Sequence, residues 1–135
     1  MQVVAAILVY KNNILAFRRP ISKSNQFISL KYEFPGGKIK KNETDIVALN
    51  RELKEELEVN ISEFIQYFST SFKYPDKEVH INFYLSIIKN LKFKMNAHVS
   101  YKLVSINNLR TLDWLDADYA LIDYIEKKGF PKELF

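Results

Sequence analysis

The chain has 135 residues, 47% of them hydrophobic, and no cysteine, which indicates one domain over residues 1–135 and excludes a disulfide framework. No run of about 18 apolar residues and no signal-peptide pattern occurs, so we expect a cytoplasmic protein without a membrane span. The net charge is +4, but the lysines are scattered, so we expect a polyanionic small molecule rather than nucleic acid as the partner.

The first part of the chain predicts a hairpin, a loop and a short strand. Strands are predicted over 2–10, 14–18 and 30–34, a turn over 11–13 and a loop over 21–28. The third strand leads into Pro35, Gly36 and Gly37. Proline rigidifies this entry, and glycine lets a backbone approach a ligand closely.

The segment after this glycine pair carries the pattern of an amphipathic helix that ends at about Leu57. Thr44 and Asp45 suit the N-cap and the first turn. One apolar stripe is predicted from Ile46, Leu49, Leu53 and Leu57.

Three carboxylates, those of Glu52, Glu55 and Glu56, share an arc of roughly 100° beside the apolar stripe of this helix. Like charges at this spacing repel each other. The cluster is therefore either a solvated acidic face or a site for a hard divalent cation such as Mg²⁺, which takes carboxylate and phosphate oxygens.

The second half of the chain predicts a long hairpin, a loop region and a last helix. Strands are predicted over 62–74 and 78–88 around a turn at 75–77, a short strand from 91, a loop over 95–100, a strand over 101–105 and a helix over 116–128. Leu121, Ile122 and Ile125 should face inward. The element order is compatible with an α+β or a mixed α/β fold.

The carboxylate helix lies within a longer pattern of fixed spacing. Gly37 is followed after five residues by Glu43, after seven more by Arg51-Glu52-Leu53, and then by Glu55-Glu56, Glu58 and Val59. This pattern resembles the signature of the Nudix hydrolases, G-x5-E-x7-R-E-U-x-E-E-x-G-U, in which U is a bulky aliphatic residue. Such a long match is highly specific and favours the metal site over the solvated face.

The resemblance covers nearly the whole chain and implies the Nudix fold, a mixed β-sheet sandwiched between helices (α/β/α). One position departs from the signature, because Glu58 stands where the family has glycine. Glycine commonly adopts the left-handed conformation at a helix end, and a glutamate there costs about 1 kcal/mol. We therefore expect a shifted helix end, with Asn60 taking the left-handed turn.

The resemblance also implies a metal-assisted reaction. Glu52, Glu55, Glu56 and the Gly36 carbonyl would hold Mg²⁺, or Mn²⁺, and Arg51 would orient these catalytic glutamates. The reaction implied is hydrolysis of a nucleoside triphosphate to the monophosphate and pyrophosphate. The first candidate substrate is 8-oxo-dGTP, whose removal sanitises the nucleotide pool and so serves DNA repair. CTP or dCTP is the alternative, and a domain that binds nucleotide without turnover remains a third reading.

The resemblance also implies substrate contacts at several positions of this sequence. Arg18, Arg19 and Lys38 are candidates for the phosphates, Glu33 for the sugar or base, Phe72 or Tyr74 for stacking on the base, and Asp118 for reading the base. The alternatives are a solvated strand end for the two arginines, a surface position for Glu33, packing in the sheet for the two aromatic rings and helix capping for Asp118.

Two further positions carry expectations from the resemblance. Asp116 is expected to cap the last helix. Many relatives have Glu-His in the loop over 95–100, where this chain has Ala97-His98. The loop carboxylate is therefore missing, and His98 is either a candidate general base in its place or a histidine of a surface loop. The sequence leaves a monomer and a homodimer equally open.

Overall fold

The first strand of the chain lies at the centre of a mixed sheet. In the computed structural model, which describes residues 1–132, the strands are β1 (Gln2–Tyr10), β2 (Asn13–Arg18), β3 (Tyr32–Glu33), β4 (Gly36–Lys38), β5 (Ile65–Lys73), β6 (Glu78–Ile87) and β7 (Ser100–Val104). Strand β1 pairs antiparallel with β2 and β4 and parallel with β6. The strand order in the sheet is β3-β2-β1-β6-β5, and β7 pairs with β2 outside this order, as β4 does with β1.

Successive side chains of β1 point to opposite faces of the sheet, and both of these faces are buried. One face packs against α2 (Tyr119–Lys128), which buries Leu121, Ile122 and Ile125 as expected. The opposite face packs against α1 (Asp45–Leu57). The sheet therefore lies between two helices, and the predicted α/β/α sandwich is confirmed.

Helix α1 begins where the sequence predicted. The Thr44 side chain caps it by accepting a hydrogen bond from the Val47 amide. Asp45 accepts hydrogen bonds from Asn82 and Tyr84, at 2.9 and 2.7 Å, which fastens the first turn to β6. The buried face consists of Ala48, Leu49, Leu53 and Leu57. The predicted stripe is wrong at Ile46, which is 38% exposed because the first turn makes polar contacts with the sheet.

The end of α1 differs from the expectation. Glu58 itself takes the left-handed conformation, with φ 57° and ψ 42°, and its amide donates to the Lys54 carbonyl at 3.1 Å. The helix therefore ends at the signature position and does not use Asn60.

Several predicted strands also differ from those of the structure. The strand expected over 30–34 is shortened to β3, and the glycine pair after it forms β4 because it pairs with β1. Strand β5 begins at Ile65 instead of residue 62, and no strand from 91 occurs in the described part of the chain. Among residues 1–132 no helix has the length and apolar character needed to span a bilayer.

Candidate active site

Strand β4 brings the glycine pair against the glutamates of α1. A Cβ atom at Gly36 would lie 2.0 Å from the Val4 carbonyl oxygen, and one at Gly37 would lie 2.5 Å from the Glu52 carboxyl carbon. The Gly36 amide donates to Glu56 Oε2 at 3.1 Å. Because both glycines lack a side chain, β1 and the carboxylates of Glu52 and Glu56 can lie close to β4.

Alanine substitutions at the two glycines should separate activity from stability. Gly37→Ala should lower turnover with little loss of stability, because the added methyl group meets the flexible end of Glu52. Gly36→Ala should destabilise the fold by about 1–3 kcal/mol, since it meets the backbone of β1. Urea unfolding and turnover of both variants test this prediction, and full activity in Gly37→Ala would contradict it.

Arg51 holds the acidic residues in a fixed arrangement. Its Nε and Nη2 atoms donate to both carboxylate oxygens of Glu43, at 2.7 and 2.9 Å. Its Nη1 atom donates to Glu52 at 2.8 Å and lies 3.6 Å from Glu55. Glu43 was not among the predicted site residues, although its place in the signature was the available signal. The bidentate contact gives Arg51 one orientation from which it reaches the other carboxylates.

The contact between Arg51 and Glu43 should make stability depend on acid. The hydrogen bond from Arg51, and then one from the Lys40 amide, lowers the Glu43 pKa from 4.5 to about 2. Because the pKa of Glu43 is lower in the folded chain, its ionised carboxylate stabilises the fold fully above pH 4.5. This contribution to stability is lost as the pH falls towards 2. The difference in unfolding free energy between wild type and Glu43→Gln should therefore shrink over that interval. Urea titrations at several pH values measure it, and a constant difference would contradict the prediction.

Glu56 lies in the least exposed part of the acidic cluster, with 12% of its side chain exposed. Burial, and then the charges of Glu33 and Glu52, raise the pKa of Glu56 to about 8 against the opposing effects of the Gly36 amide and Arg19. A divalent cation among these oxygens would offset the repulsion. The donors offered by Glu52, Glu55 and Glu56 are oxygens, so the residues present fit Mg²⁺ or Mn²⁺.

A second group of polar side chains adjoins Glu56. Arg19 Nη1 donates to both oxygens of Glu33, at 3.2 and 3.3 Å. His98 Nε2 lies 2.8 Å from Glu33 Oε2 and 3.8 Å from Glu56 Oε1. Only 1% of the His98 side chain is exposed, so this histidine belongs to the interior and not to a surface loop.

A cavity of about 260 Å³ opens beside the carboxylates. Its polar lining includes Arg19, Glu33, Lys38, Lys77 and Asp118, and its apolar lining includes Phe34, Val79, Ile81, Leu115 and Ala117. Gly36 and Gly37 also line it, so the cavity borders β4, the strand that contacts Glu52 and Glu56 of α1. It therefore offers cations and carboxylates beside an apolar compartment.

Asp118 is the buried polar group of this cavity, with 4% exposure. Burial, and then the charge of Glu33, raises its pKa well above its ordinary value. No hydrogen-bond partner of its Oδ2 atom lies among residues 1–132.

The prediction that Asp116 caps the last helix is wrong. This residue lies inside a 3₁₀ turn, is exposed and makes no side-chain capping contact.

The predicted stacking residues and the two arginines divide between the cavity and its surroundings. Tyr74 lines the cavity, and its hydroxyl accepts a hydrogen bond from the Ala117 amide at 3.1 Å. Phe72 does not line it and packs edge-on against Tyr74 instead.

Arg19 lines the cavity, whereas Arg18 is directed away and donates to the Leu30 carbonyl. Strand geometry separates the arginines, because adjacent side chains point in opposite directions.

Sequence reasoning missed part of the lining. The inward alternation of β6 was the signal for Val79 and Ile81, and the predicted turn at 75–77 was the signal for Lys77. Phe34 and Leu115 had no signal, because each reaches the cavity only through the tertiary fold.

The NUDIX domain family model matches residues 1–124, and the chain therefore belongs to this family. It is a Nudix hydrolase that acts on phosphoric anhydride bonds of nucleotides, as the signature predicted.

Relatives and a solved structure agree with this assignment. An 8-oxo-dGTP diphosphatase of Buchnera aphidicola from Acyrthosiphon pisum is 33% identical over 104 residues, 73% of this chain and 79% of the relative. One from the Schizaphis graminum strain is 27% identical over 130 residues, 96% of each chain. The solution structure of the E. coli ORF135 protein has 25% identity and a TM-score of 0.79, covering 97% of this chain and 93% of that one.

Proposed function

We propose that the protein hydrolyses 8-oxo-dGTP to the nucleoside monophosphate and pyrophosphate, with Mg²⁺ as the cofactor and Mn²⁺ as a substitute. One observation carries this proposal: a single cavity reaches from β4, which contacts Glu52 and Glu56 of α1, to the buried Asp118, whose Oδ2 atom has no partner within residues 1–132. A nucleotide bound there would meet carboxylates and cations at its phosphates and a hydrogen-bonding group at its base.

The base end of the cavity suits a ring that donates hydrogen bonds. An ionised Asp118 offers only acceptors, and a guanine-type base presents a ring N–H and an amino group to them. Hydrogen bonds from these donors favour the ionised form of Asp118. Before substrate binds, burial disfavours that form. The amino group of cytosine also meets this requirement. The relatives named 8-oxo-dGTP diphosphatase favour the oxidised purine nucleotide over CTP or dCTP.

The phosphate end of the cavity supplies charge and orientation. Lys38 and Arg19 line it and would stabilise the charges of the polyphosphate. Glu52, Glu55, Glu56 and the Gly36 carbonyl would hold the Mg²⁺ ion. When bound, this ion neutralises phosphate charge and lowers the pKa of a water molecule. Arg51 keeps Glu52 and Glu55 in place, and a carboxylate of the set accepts the proton of the attacking water.

A panel of nucleotides tests the substrate. With Mg²⁺, kcat/KM for nucleoside monophosphate formation should be higher for 8-oxo-dGTP than for dGTP, CTP, dCTP, ATP and ADP-ribose. A maximum at CTP or dCTP would replace the purine with a pyrimidine and keep the reaction. Calorimetric binding without turnover of any nucleotide would overturn the proposal in favour of a nucleotide-binding sensor.

A further inference from the structure

The loop before β7 is hydrogen-bonded to the end of α1. The Lys94 amide donates to the Leu57 carbonyl at 2.9 Å, and the Asn96 amide donates to the Glu56 carbonyl at 2.9 Å. The Asn96 side chain donates to the Glu55 carbonyl at 3.1 Å. The last carbonyls of a helix have no partner within the helix, so this loop supplies their hydrogen bonds.

Glu58 adds a side-chain contact to this loop. Its Oε2 atom accepts a hydrogen bond from Asn96 Nδ2 at 2.9 Å, and its Oε1 atom lies 3.9 Å from Lys94 Nζ. A glycine at position 58, as in the family signature, could make neither contact. Glu58 therefore strengthens the attachment of the loop in which Ala97 stands where many relatives have glutamate.

The attached loop delivers the His98 ring into the site. The Val99 amide donates to the Arg18 carbonyl at 2.9 Å, and the ring centroid lies 5.2 Å from that of Phe17. Contacts on both sides of His98 thus fix the ring with Nε2 towards Glu33 and Glu56.

The surroundings of the other ring nitrogen indicate the tautomer. His98 Nδ1 is buried, and residues 1–132 place no hydrogen-bond partner next to it. A hydrogen on Nδ1 would be a buried unsatisfied donor, at a cost of about 1–3 kcal/mol, and would leave the Nε2 lone pair against a carboxylate. A hydrogen on Nε2 instead donates to Glu33 at 2.8 Å.

This tautomer argues against two other roles of His98. A metal-binding histidine uses one lone pair and donates its other N–H to a neighbouring acceptor, and Nδ1 has none among the described residues. A general base needs an accessible lone pair, whereas the lone pair of Nδ1 is enclosed.

We propose that His98 is a positioning residue, whose Nε2–H holds the Glu33 carboxylate beside Glu56, and that the Glu58–Asn96 contact keeps it there. This proposal rests on the proposed function and names how two carboxylates of that site are kept in place. It assigns a purpose to Glu58, which departs from the signature, and to His98, which follows the alanine that replaces the loop glutamate of many relatives.

Imidazole NMR tests the proposal without any substrate. The chain has two histidines, so a ¹⁵N-labelled, tag-free protein gives two ring systems, with His80, whose Nδ1 lies 2.8 Å from Ser71 Oγ, as the internal reference. Long-range ¹H–¹⁵N correlation should show hydrogen on His98 Nε2, both with and without Mg²⁺. Hydrogen on Nδ1, or loss of the Nε2 hydrogen when Mg²⁺ is added, would overturn the proposal.

Substitutions at His98 test its effect on the reaction. His98→Leu should lower kcat/KM by roughly 10- to 100-fold, as loss of a residue that orients metal ligands commonly does. His98→Gln keeps an N–H donor and should recover most of this loss, and His80→Gln is the matched control. Equal losses in both His98 variants, with one limb of the pH–rate profile missing, would make His98 a base and overturn the proposal.

Glu58→Gly and Asn96→Ala test how the loop is held. Each should cause a smaller loss of kcat/KM than His98→Leu, and neither loss should add to that of His98→Leu, because the three residues act through one contact chain. Full additivity would contradict this part of the proposal. If no nucleotide is turned over, the proposed function fails while the NMR measurement still decides the role of His98.

Discussion

Glu56→Gln is expected to lower kcat/KM by roughly 10²- to 10⁴-fold, the range reported for removing a group that transfers a proton. The substitution keeps the size of the side chain and an oxygen that the Gly36 amide can reach. It removes the charge that the metal and the attacking water require. Steady-state pyrophosphate release with saturating Mg²⁺ measures the effect.

The same substitution should not weaken the fold. Burial and the charges of Glu33 and Glu52 raise the Glu56 pKa to about 8, so the folded metal-free protein disfavours the ionised form. The stability lost through this group increases as the pH rises from 4.5 to about 8, and the glutamine variant avoids that loss. Its unfolding free energy at pH 8 should equal or exceed that of wild type. Glu63→Gln, at an exposed position away from the site, is the control for activity. Full turnover in Glu56→Gln would contradict the proposed role.

Asp118→Asn should raise the KM for 8-oxo-dGTP by roughly 10- to 100-fold, because a charged hydrogen bond contributes about 1.5–3 kcal/mol. The amide keeps only one acceptor oxygen and no charge, so it cannot accept from both the ring N–H and the amino group of a guanine-type base as the carboxylate does. The change in kcat should be smaller, since Asp118 lies among the residues of the base compartment. Steady-state kinetics with 8-oxo-dGTP, dGTP and CTP separate the effects on each base.

The fold should become more stable in the same variant. Asp118 is a buried carboxyl group whose Oδ2 atom lacks a partner within residues 1–132, and such a group is retained at a cost to stability. Asp116→Asn, two residues away and exposed, is the matched control. An unchanged KM for every nucleotide in Asp118→Asn would show that this residue does not read the base.

The sequence predicted the framework of the site because spacing within one helix is a local property. The repeat of 3.6 residues per turn places Glu52, Glu55 and Glu56 on one arc whatever the rest of the fold does. Thr44 and the apolar residues of the helix gave its start and its buried side for the same reason. Arg51 was expected to orient the glutamates of the helix, and the structure has its contacts with Glu52 and Glu55 together with one to Glu43.

The remaining parts of the site depend on long-range packing, which spacing does not report. The burial of His98 follows from hydrogen bonds between its loop and residues about forty positions earlier, at the end of α1. The conformation of Glu58 was mispredicted because propensity favours Asn60, while the contact with Asn96 favours the glutamate. The choice of Arg19 over Arg18 needed the geometry of the strand end.

The measurement that tests the central claim most directly is ³¹P NMR of 8-oxo-dGTP incubated with the protein and Mg²⁺. The triphosphate signals should be replaced by those of the nucleoside monophosphate and pyrophosphate in equal amounts, and chelation of the metal should stop the reaction. Release of orthophosphate with a nucleoside diphosphate, or an unchanged spectrum from a protein that binds the nucleotide, would contradict the claim.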